Sequence, residues 1–288
     1  MATCSLFGID RQVYYRTKYR KKSNESKVEK VIKMVTEIRN RMPRIGTRKL
    51  YYMLEHELQD MNIGRDKLFS ILRANHLMIT PKRSYRITTD THHRFHKHKD
   101  IVQYVEVNRP EQVWVADITY LGYRNNHLYL SLITDAYSKK IVGYDLSNSL
   151  QTEGSVRALK MANKNRMYPK SMLIHHSDKG LQYCSNEYQL LLGKYKMQCS
   201  MTENYDPYSN AIAERVNGII KNEFYLENYM VNKEIMPAIV KETIEIYNNE
   251  RPHFSCSLLT PNEMHRQNSI PIKSYKTKNR SKNESTSV

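Results

Sequence analysis

The chain of 288 residues has few cysteines, few glycines and no long hydrophobic run. Its four cysteines (Cys4, Cys184, Cys199 and Cys256) are far apart and form no C-x-x-C pair, which argues against a zinc ribbon or a disulfide scaffold. No stretch approaches the roughly 18 consecutive apolar residues of a membrane helix, and residues 1–10 lack the features of a secretory signal. We therefore expect a soluble cytoplasmic protein without a membrane partner.

Acidic residues are the scarcer charged class. The chain carries 46 Lys and Arg against 29 Asp and Glu, a formal net charge of +17. The surplus is uneven, because residues 1–100 carry +13, residues 101–260 are neutral and residues 261–288 carry +4. Such a field favours a polyanionic partner, and we expect the basic flanks to hold DNA phosphates. The alternative is that these flanks only keep the protein in solution.

Residues 1–79 show helical periodicity. The pattern predicts helices over residues 2–16 (with a turn at Gly8), 25–42, 47–58 (capped by Thr47) and 65–76. Short helices with interspersed cations are typical of a helix-turn-helix DNA-binding region, although a plain helical bundle gives the same pattern. The candidate DNA contacts in this region are Arg44, Arg48, Lys49, Arg65 and Lys67.

Two segments have no clear periodicity. Residues 80–110 are basic and contain four histidines within THHRFHKHK, but no cysteine or acid completes a metal site, so we interpret the segment as a basic linker. Residues 266–288 are expected to form a basic, disordered tail.

From residue 111 the pattern changes to strands and helices. Strands are predicted over residues 112–123, 127–137, 139–147, 171–178 and 197–201. Helices are predicted over residues 152–166, 186–195, 209–226 and 233–250. The order β-β-β-α-β-α-β-α indicates an α/β, RNase-H-like fold over residues 111–265, in which helices cover one mixed five-stranded sheet.

Three acids stand out by their placement. Asp117 lies in the middle of the first strand, Asp178 follows the fourth strand, and Glu214 lies on a helix. In such a fold the first and fourth strands are neighbours and the helix crosses their face, so the carboxylates can meet. A carboxylate cluster needs divalent cations to relieve its repulsion, and Mg²⁺ prefers oxygen ligands. Two such ions are suited to phosphodiester chemistry.

Several segments together resemble a known family. WVADITYL, HHSDKGLQYCS and NAIAERVNGIIKNEF, preceded by GTRKLYYML, resemble the catalytic chain of bacterial insertion-sequence transposases, in the DDE superfamily shared with retroviral integrases. The resemblance implies an integrase catalytic core with Asp117, Asp178 and Glu214 as catalytic triad. It also implies two Mg²⁺ ions, which Mn²⁺ can replace, and a DNA transposase that cleaves 3′ ends and transfers strands.

The resemblance also implies partners and DNA contacts. Lys221, seven residues after Glu214, matches a position that family members use to contact the DNA end, and Asn210 and Asn217 share its helix face. Lys179 is a further candidate contact. The implied partners are the element's terminal repeats, target DNA, further copies of the chain and the product of an upstream reading frame. The implied location is the bacterial cytoplasm, in association with the nucleoid. Because the N-terminal region lacks the cysteines of the retroviral zinc module, we expect no zinc.

Two rival functions and several residues remain open. A catalytically silent DNA-binding regulator is possible, although all three acids are present, and a structure-selective nuclease would not need the basic N-terminal region. Asp135 fits a turn role better than a metal ligand. His175 and His176 either shape the site or pack through hydrogen bonds, and Arg251 and His253 either contact DNA or cap a helix.

Overall fold

The computed structural model describes residues 8, 10–80, 98–123, 126–202, 211–226 and 232–272. The candidate contact Asn210, most of the expected linker and the expected tail from residue 273 onward lie outside these residues. In the part of the chain that is described, no helix is both long and apolar enough to cross a membrane.

The N-terminal region begins with one long helix. Helix α1 spans Arg11–Arg41 without a break, so the prediction of separate helices before residue 17 and after residue 24 was wrong. No glycine or proline interrupts this stretch, and its Lys, Arg and Glu residues are good helix formers. Only the second half of α1 has buried side chains, at Val31 and Val35, while the first half is exposed.

Three shorter helices follow. They are α2 (Thr47–Met53), α3 (Glu55–Asp60) and α4 (Arg65–Ala74). The single helix predicted over residues 47–58 is therefore broken at Leu54. Thr47 does not cap α2, because Gly46 occupies the cap position and the Thr47 side chain is buried against Met78.

Five strands form one mixed sheet. They are β1 (Val113–Tyr123), β2 (Asn126–Asp135), β3 (Ile141–Ser147), β4 (Ile174–Ser177) and β5 (Gln198–Met201). Their order is β3-β2-β1-β4-β5, with β1, β2 and β3 antiparallel and β4 and β5 parallel to β1. This arrangement confirms the predicted mixed sheet. The parallel pairs are joined through helices, as parallel pairing requires.

Helices cover both faces of this sheet. The first face packs against α5 (Thr152–Lys164), α6 (Leu181–Cys184) and α7 (Asn186–Lys194) through Trp114, Ala116 and Ile133. The second face packs against α8 (Ala211–Gly218), a π-helical turn (Ile219–Glu223) and α9 (Met236–Asn249). Helix α10 (Pro261–His265) follows. Because side chains alternate along a strand, Asp117 lies on the second face, with Val113 and Val115.

The N-terminal helices share a hydrophobic core with the second face. Val35 of α1 and Leu50 of α2 belong to the same buried cluster as Leu132 of β2, Ile220 of the π turn and Tyr247 of α9. A backbone hydrogen bond from Arg44 to the carbonyl of Glu223 also joins the two regions. The N-terminal helices are therefore docked on the sheet-bearing part of the chain.

A buried polar cluster attaches α10 to the start of the sheet. His265 lies 3.6 Å from carboxylate oxygens of both Glu111 and Asp135, and its Nδ1 is 2.9 Å from the Ser138 hydroxyl. Asp135 also accepts hydrogen bonds from the Ser138 and Glu111 amides, while Arg166 pairs with Glu111 at 3.2 Å. Asp135 thus has the turn role expected from its position. Burial opposes charge on His265, but the two acids outweigh it and raise its pKa above the ordinary value of 6.5.

Replacing His265 by Gln should therefore weaken the fold most at low pH. A histidine with a raised pKa adds stability in full below pH 6.5 and loses it as the pH rises through the raised pKa. We expect His265→Gln to lose about 1–3 kcal/mol at pH 6 and less at pH 8, because Glu111 and Asp135 lose the cation that they share. Thermal unfolding of both proteins at the two pH values measures this. Equal losses at pH 6 and pH 8 would show that folding does not raise the pKa of His265.

Candidate active site

Asp117 is held on the second face of the sheet by two hydrogen bonds. Its Oδ1 accepts from the Ile118 amide at 2.9 Å, and its Oδ2 accepts from Asn217 Nδ2 of α8 at 2.7 Å. Burial, followed by the charges of Asp178 and Glu214, raises its pKa to about 7, although the two hydrogen bonds act in the opposite direction. A carboxylate in this state is one whose charge a bound cation would stabilise.

Asp178 lies beside Asp117 because of the strand register. β1 and β4 are parallel, and Ala116 pairs with Ser177, so an aspartate follows each of these paired residues. The Gly180 amide donates to Asp178 Oδ1 at 3.0 Å, and a Cβ at position 180 would lie only 3.0 Å from the same oxygen. Glycine therefore lets the backbone fold closely around this carboxylate.

Glu214 is on the exposed side of α8. Its charge contributes to the raised pKa of Asp117, so it belongs to the same electrostatic neighbourhood. Its own pKa is raised by partial burial. Within the described residues, however, no three His, Cys, Asp or Glu side chains are grouped closely enough to hold a metal ion. The arrangement is thus an adjacent aspartate pair with a third acid on the neighbouring helix.

The donor chemistry of these acids fits a hard divalent cation. Asp117, Asp178 and Glu214 offer only carboxylate oxygens, the ligands that Mg²⁺ and Mn²⁺ accept. The neighbouring histidines are used elsewhere, because His175 bonds to the Tyr188 hydroxyl and His176 to the Ser200 hydroxyl, both at 2.9 Å. Both rings are fully buried, which corresponds to the packing alternative for them.

The helix residues predicted to face DNA have different surroundings. Asn217 is only 5% exposed and donates to Asp117, which leaves little of its side chain for the expected DNA contact. Lys221 is half-buried on the π turn, with its Nζ 5.6 Å from the centre of the Tyr120 ring. Lys179 is half-buried next to Asp178.

The N-terminal basic residues predicted to contact DNA also differ in their exposure. Arg48, Arg65 and Lys67 are exposed, and Arg65 forms a surface ion pair with Asp66. Arg44 is half-buried; it bonds to the Thr80 carbonyl and lies over the Tyr225 ring. Lys49 is 9% exposed, with its Nζ 3.4 Å from Glu223. The expectation that Lys49 faces DNA therefore conflicts with its burial inside the protein.

A buried ion network around Glu223 was not expected from the sequence. Arg251 donates to both carboxylate oxygens of Glu223, at 3.0 and 2.7 Å, and its third nitrogen lies 2.8 Å from His253 Nε2. Arg251 is 2% exposed and His253 is 7% exposed, which leaves little of either side chain for contact with DNA. Glu223 lies on a helix without any distinctive spacing, and only its tertiary partners reveal its importance.

Parts of this chain are similar to family models and to solved structures. An integrase core domain model matches residues 107–207, and a second integrase core domain model matches residues 195–261. Among solved structures, the HTLV-2 integrase catalytic core domain in complex with magnesium has a TM-score of 0.43 at 19% identity, covering 55% of this chain and 97% of that one. A simian T-cell lymphotropic virus intasome in complex with PP2A regulatory subunit B56 gamma has a TM-score of 0.49 at 17% identity, covering 80% of this chain and 78% of that one.

Relatives in sequence come from bacterial mobile elements. Transposase InsF for insertion sequence IS3A of Escherichia coli is 34% identical over 160 residues, and the match covers 55% of each chain. The insertion element IS600 uncharacterized 31 kDa protein of Shigella sonnei is 32% identical over 263 residues, which cover 90% of this chain and 95% of that protein. With identity of this extent and two integrase core matches, the chain belongs to the bacterial insertion-sequence transposases of the DDE/integrase superfamily.

Proposed function

We propose that this chain cleaves the 3′ ends of an insertion sequence and joins them to target DNA at the site formed by Asp117, Asp178 and Glu214. The observation that supports the proposal is the adjacent aspartate pair, in which burial and the second acid raise the pKa of Asp117 to about 7. In the first reaction water attacks a phosphorus and a 3′-hydroxyl leaves. In the second that hydroxyl attacks a phosphodiester of another strand, and a 3′ oxygen leaves.

The three carboxylates would hold Mg²⁺, or Mn²⁺ in its place, and two ions suit this chemistry. When bound, such ions lower the pKa of a coordinated water and stabilise charge on the leaving oxygen. The residues around the acids orient them, because Asn217 holds one oxygen of Asp117 and the Gly180 amide holds one oxygen of Asp178. In this proposal, Lys221 and Lys179 contact the DNA backbone beside the three acids.

The exposed half of α1 is the DNA-holding surface that we propose for the N-terminal region, together with Arg48, Arg65 and Lys67. Residues 11–27 contain seven Lys and Arg and a single acid. Tyr14, Tyr15 and Tyr19 are also exposed there, from 49% to 77%. Like charges three and four residues apart destabilise a helix, so a polyanion would stabilise this one. In this proposal, Lys49 and Asn217 do not contact DNA.

Replacing Lys21 and Lys22 together by Ala should weaken DNA binding and reduce its salt dependence. Each lost phosphate contact lowers the slope of log affinity against log salt by roughly 0.9, so we expect a decrease of up to about 2. Fluorescence anisotropy with a terminal-repeat duplex at several salt concentrations measures the slope. The matched control replaces Lys160 and Lys164, which are exposed on α5 across the sheet from α8, and should leave the slope unchanged. Equal slopes for the two variants would contradict this assignment.

We also propose that several copies act together on DNA and that an upstream-frame product assists them. Joining both ends of an element requires that the two ends be held at once, which one catalytic site does not do. The proposed chemistry itself is tested by strand joining from a duplex that ends in the element's terminal repeat, in Mg²⁺. The wild-type chain should join strands, and the Asp117→Asn variant should not.

A further inference from the structure

Glu223 ends the helical segment that carries the proposed catalytic residues. The segment starts with α8, contains Glu214 and Asn217, continues into the π turn with Lys221, and finishes at Glu223. Near its middle, Asn217 attaches it to Asp117 of β1. π-Helical turns are rare and occur often at functional sites, where they shift the register of a helix. The position of Glu223 therefore influences where the rest of the segment lies against the sheet.

Two contacts from the N-terminal region meet at Glu223. The Arg44 amide donates to its carbonyl at 3.0 Å, and Lys49 Nζ lies 3.4 Å from both of its carboxylate oxygens. Lys49 belongs to α2, which is 174 residues away in sequence. The helical segment is therefore attached to the N-terminal helices by both its backbone and its side chain.

The network is sensitive to the docking of the N-terminal helices. Burial, followed by the charge of Arg251, lowers the pKa of Lys49 to about 8, although Glu223 opposes the shift. For Glu223 the cations prevail over burial, since Arg251 and Lys49 lower its pKa. A buried charge of this kind is tolerated only while its partners are in place. Undocking α2 would remove one of the two cations that Glu223 pairs with.

We propose that Glu223 is a positioning residue through which the docked N-terminal helices hold the catalytic helix in register against β1. The ion pair with Lys49 is the connection between the two regions. This connection fixes the N-terminal helices relative to the catalytic helix. The network therefore couples the position of DNA bound by the N-terminal helices to the position of DNA in the site. This inference rests on the proposed roles of Glu214 and Lys221.

Hydrogen–deuterium exchange of the full-length chain tests the proposal. In Lys49→Met, amides of residues 211–226 should exchange at least about tenfold faster, while those of β2 stay unchanged. Lys49→Arg keeps the cation and should exchange like the wild type. Lys33→Met, the same substitution at an exposed position of α1, should have no effect. Unchanged exchange in 211–226, equal acceleration throughout the chain, or a Lys49→Arg that behaves like Lys49→Met would each overturn the proposal.

A pH series on the wild-type chain gives a second readout that does not depend on the folding of a variant. The groups that face Lys49 are Glu223, Arg251, Arg215 and His253, and burial together with Arg251 keeps the pKa of His253 well below 6.5. From pH 7 to 9, exchange in residues 211–226, corrected for its intrinsic pH dependence, should accelerate in the wild type and stay constant in Lys49→Arg. A flat wild-type profile would contradict the proposal. Neither readout requires catalysis, so failure of the proposed chemistry would be seen separately in the joining assay.

Discussion

Replacing Asp117 by Asn should reduce strand cleavage and joining by at least about a thousandfold in saturating Mg²⁺. The substitution keeps the size of the side chain and removes one negative charge. Without that charge, the aspartate pair can no longer hold a divalent cation against the reacting phosphate. A gel assay of strand cleavage and joining from a terminal-repeat duplex, in single turnover, measures the rate.

Asp117→Asn should nevertheless fold. The new amide can accept from the Ile118 amide, and after rotation of the Asn217 amide it can donate to Asn217 Oδ1, which is buried without a hydrogen-bond partner. The pKa of Asp117 is about 7 in the fold against an ordinary value of 3.8, so ionisation of this acid costs stability as the pH rises through that range. We therefore expect a melting temperature at pH 8, without metal, that is no lower than the wild-type value.

The matched control for Asp117→Asn replaces an aspartate outside the proposed site. Asp145→Asn makes the same change on β3, where the carboxylate bonds to Arg157 and Ser147, and should leave the rate within about twofold of the wild type. Normal joining by Asp117→Asn would remove Asp117 from the triad. A wild-type chain that binds terminal repeats tightly but never cuts them, even with an upstream-frame product, would support the DNA-binding regulator instead.

Replacing Arg251 by Met should lower the free energy of unfolding by about 3–5 kcal/mol. Arg251 is 2% exposed and supplies two hydrogen bonds to Glu223, so its loss leaves a largely buried carboxylate (14% exposed) with Lys49 as its remaining cation. Since a chain of this size shifts by roughly 2–4 °C per kcal/mol, the melting temperature should fall by about 6–20 °C. Differential scanning calorimetry in the absence of DNA measures the change.

Arg41→Met is the matched control for this prediction. Arg41 also forms an ion pair, with Glu250 at 2.6 Å, but its side chain is 55% exposed and the pair lies in water. Exposed pairs contribute about 1 kcal/mol or less, so the same substitution should have a small effect here. Similar losses for the two variants would show that burial of the Glu223 network is not what makes it stabilising.

Local patterns in the sequence were enough to predict the order of the strands and helices of the sheet-bearing part and the elements that carry the three acids. The alternating residues around Asp117 and the helical period of residues 152–166 are short-range features, and both correspond to observed elements. This order indicates an RNase-H-like fold, in which the first and fourth strands are neighbours, and β1 does pair with β4 beside Asp117 and Asp178.

Only the tertiary structure decided which charged and polar residues face solvent. Arg48 and Lys49 are consecutive basic residues of α2, yet Arg48 is exposed and Lys49 is buried against an acid far along the chain. Asn217 and Lys221 were predicted to share a helix face, but their contacts on the sheet differ. Asn217 donates to the Asp117 carboxylate, and Lys221 lies over the Tyr120 ring. Burial and pairing depend on neighbours that are remote in sequence, and no local pattern encodes them. The sequence by itself determined the fold class and the candidate triad, and docking of the helices on the sheet determined which side chains are left exposed.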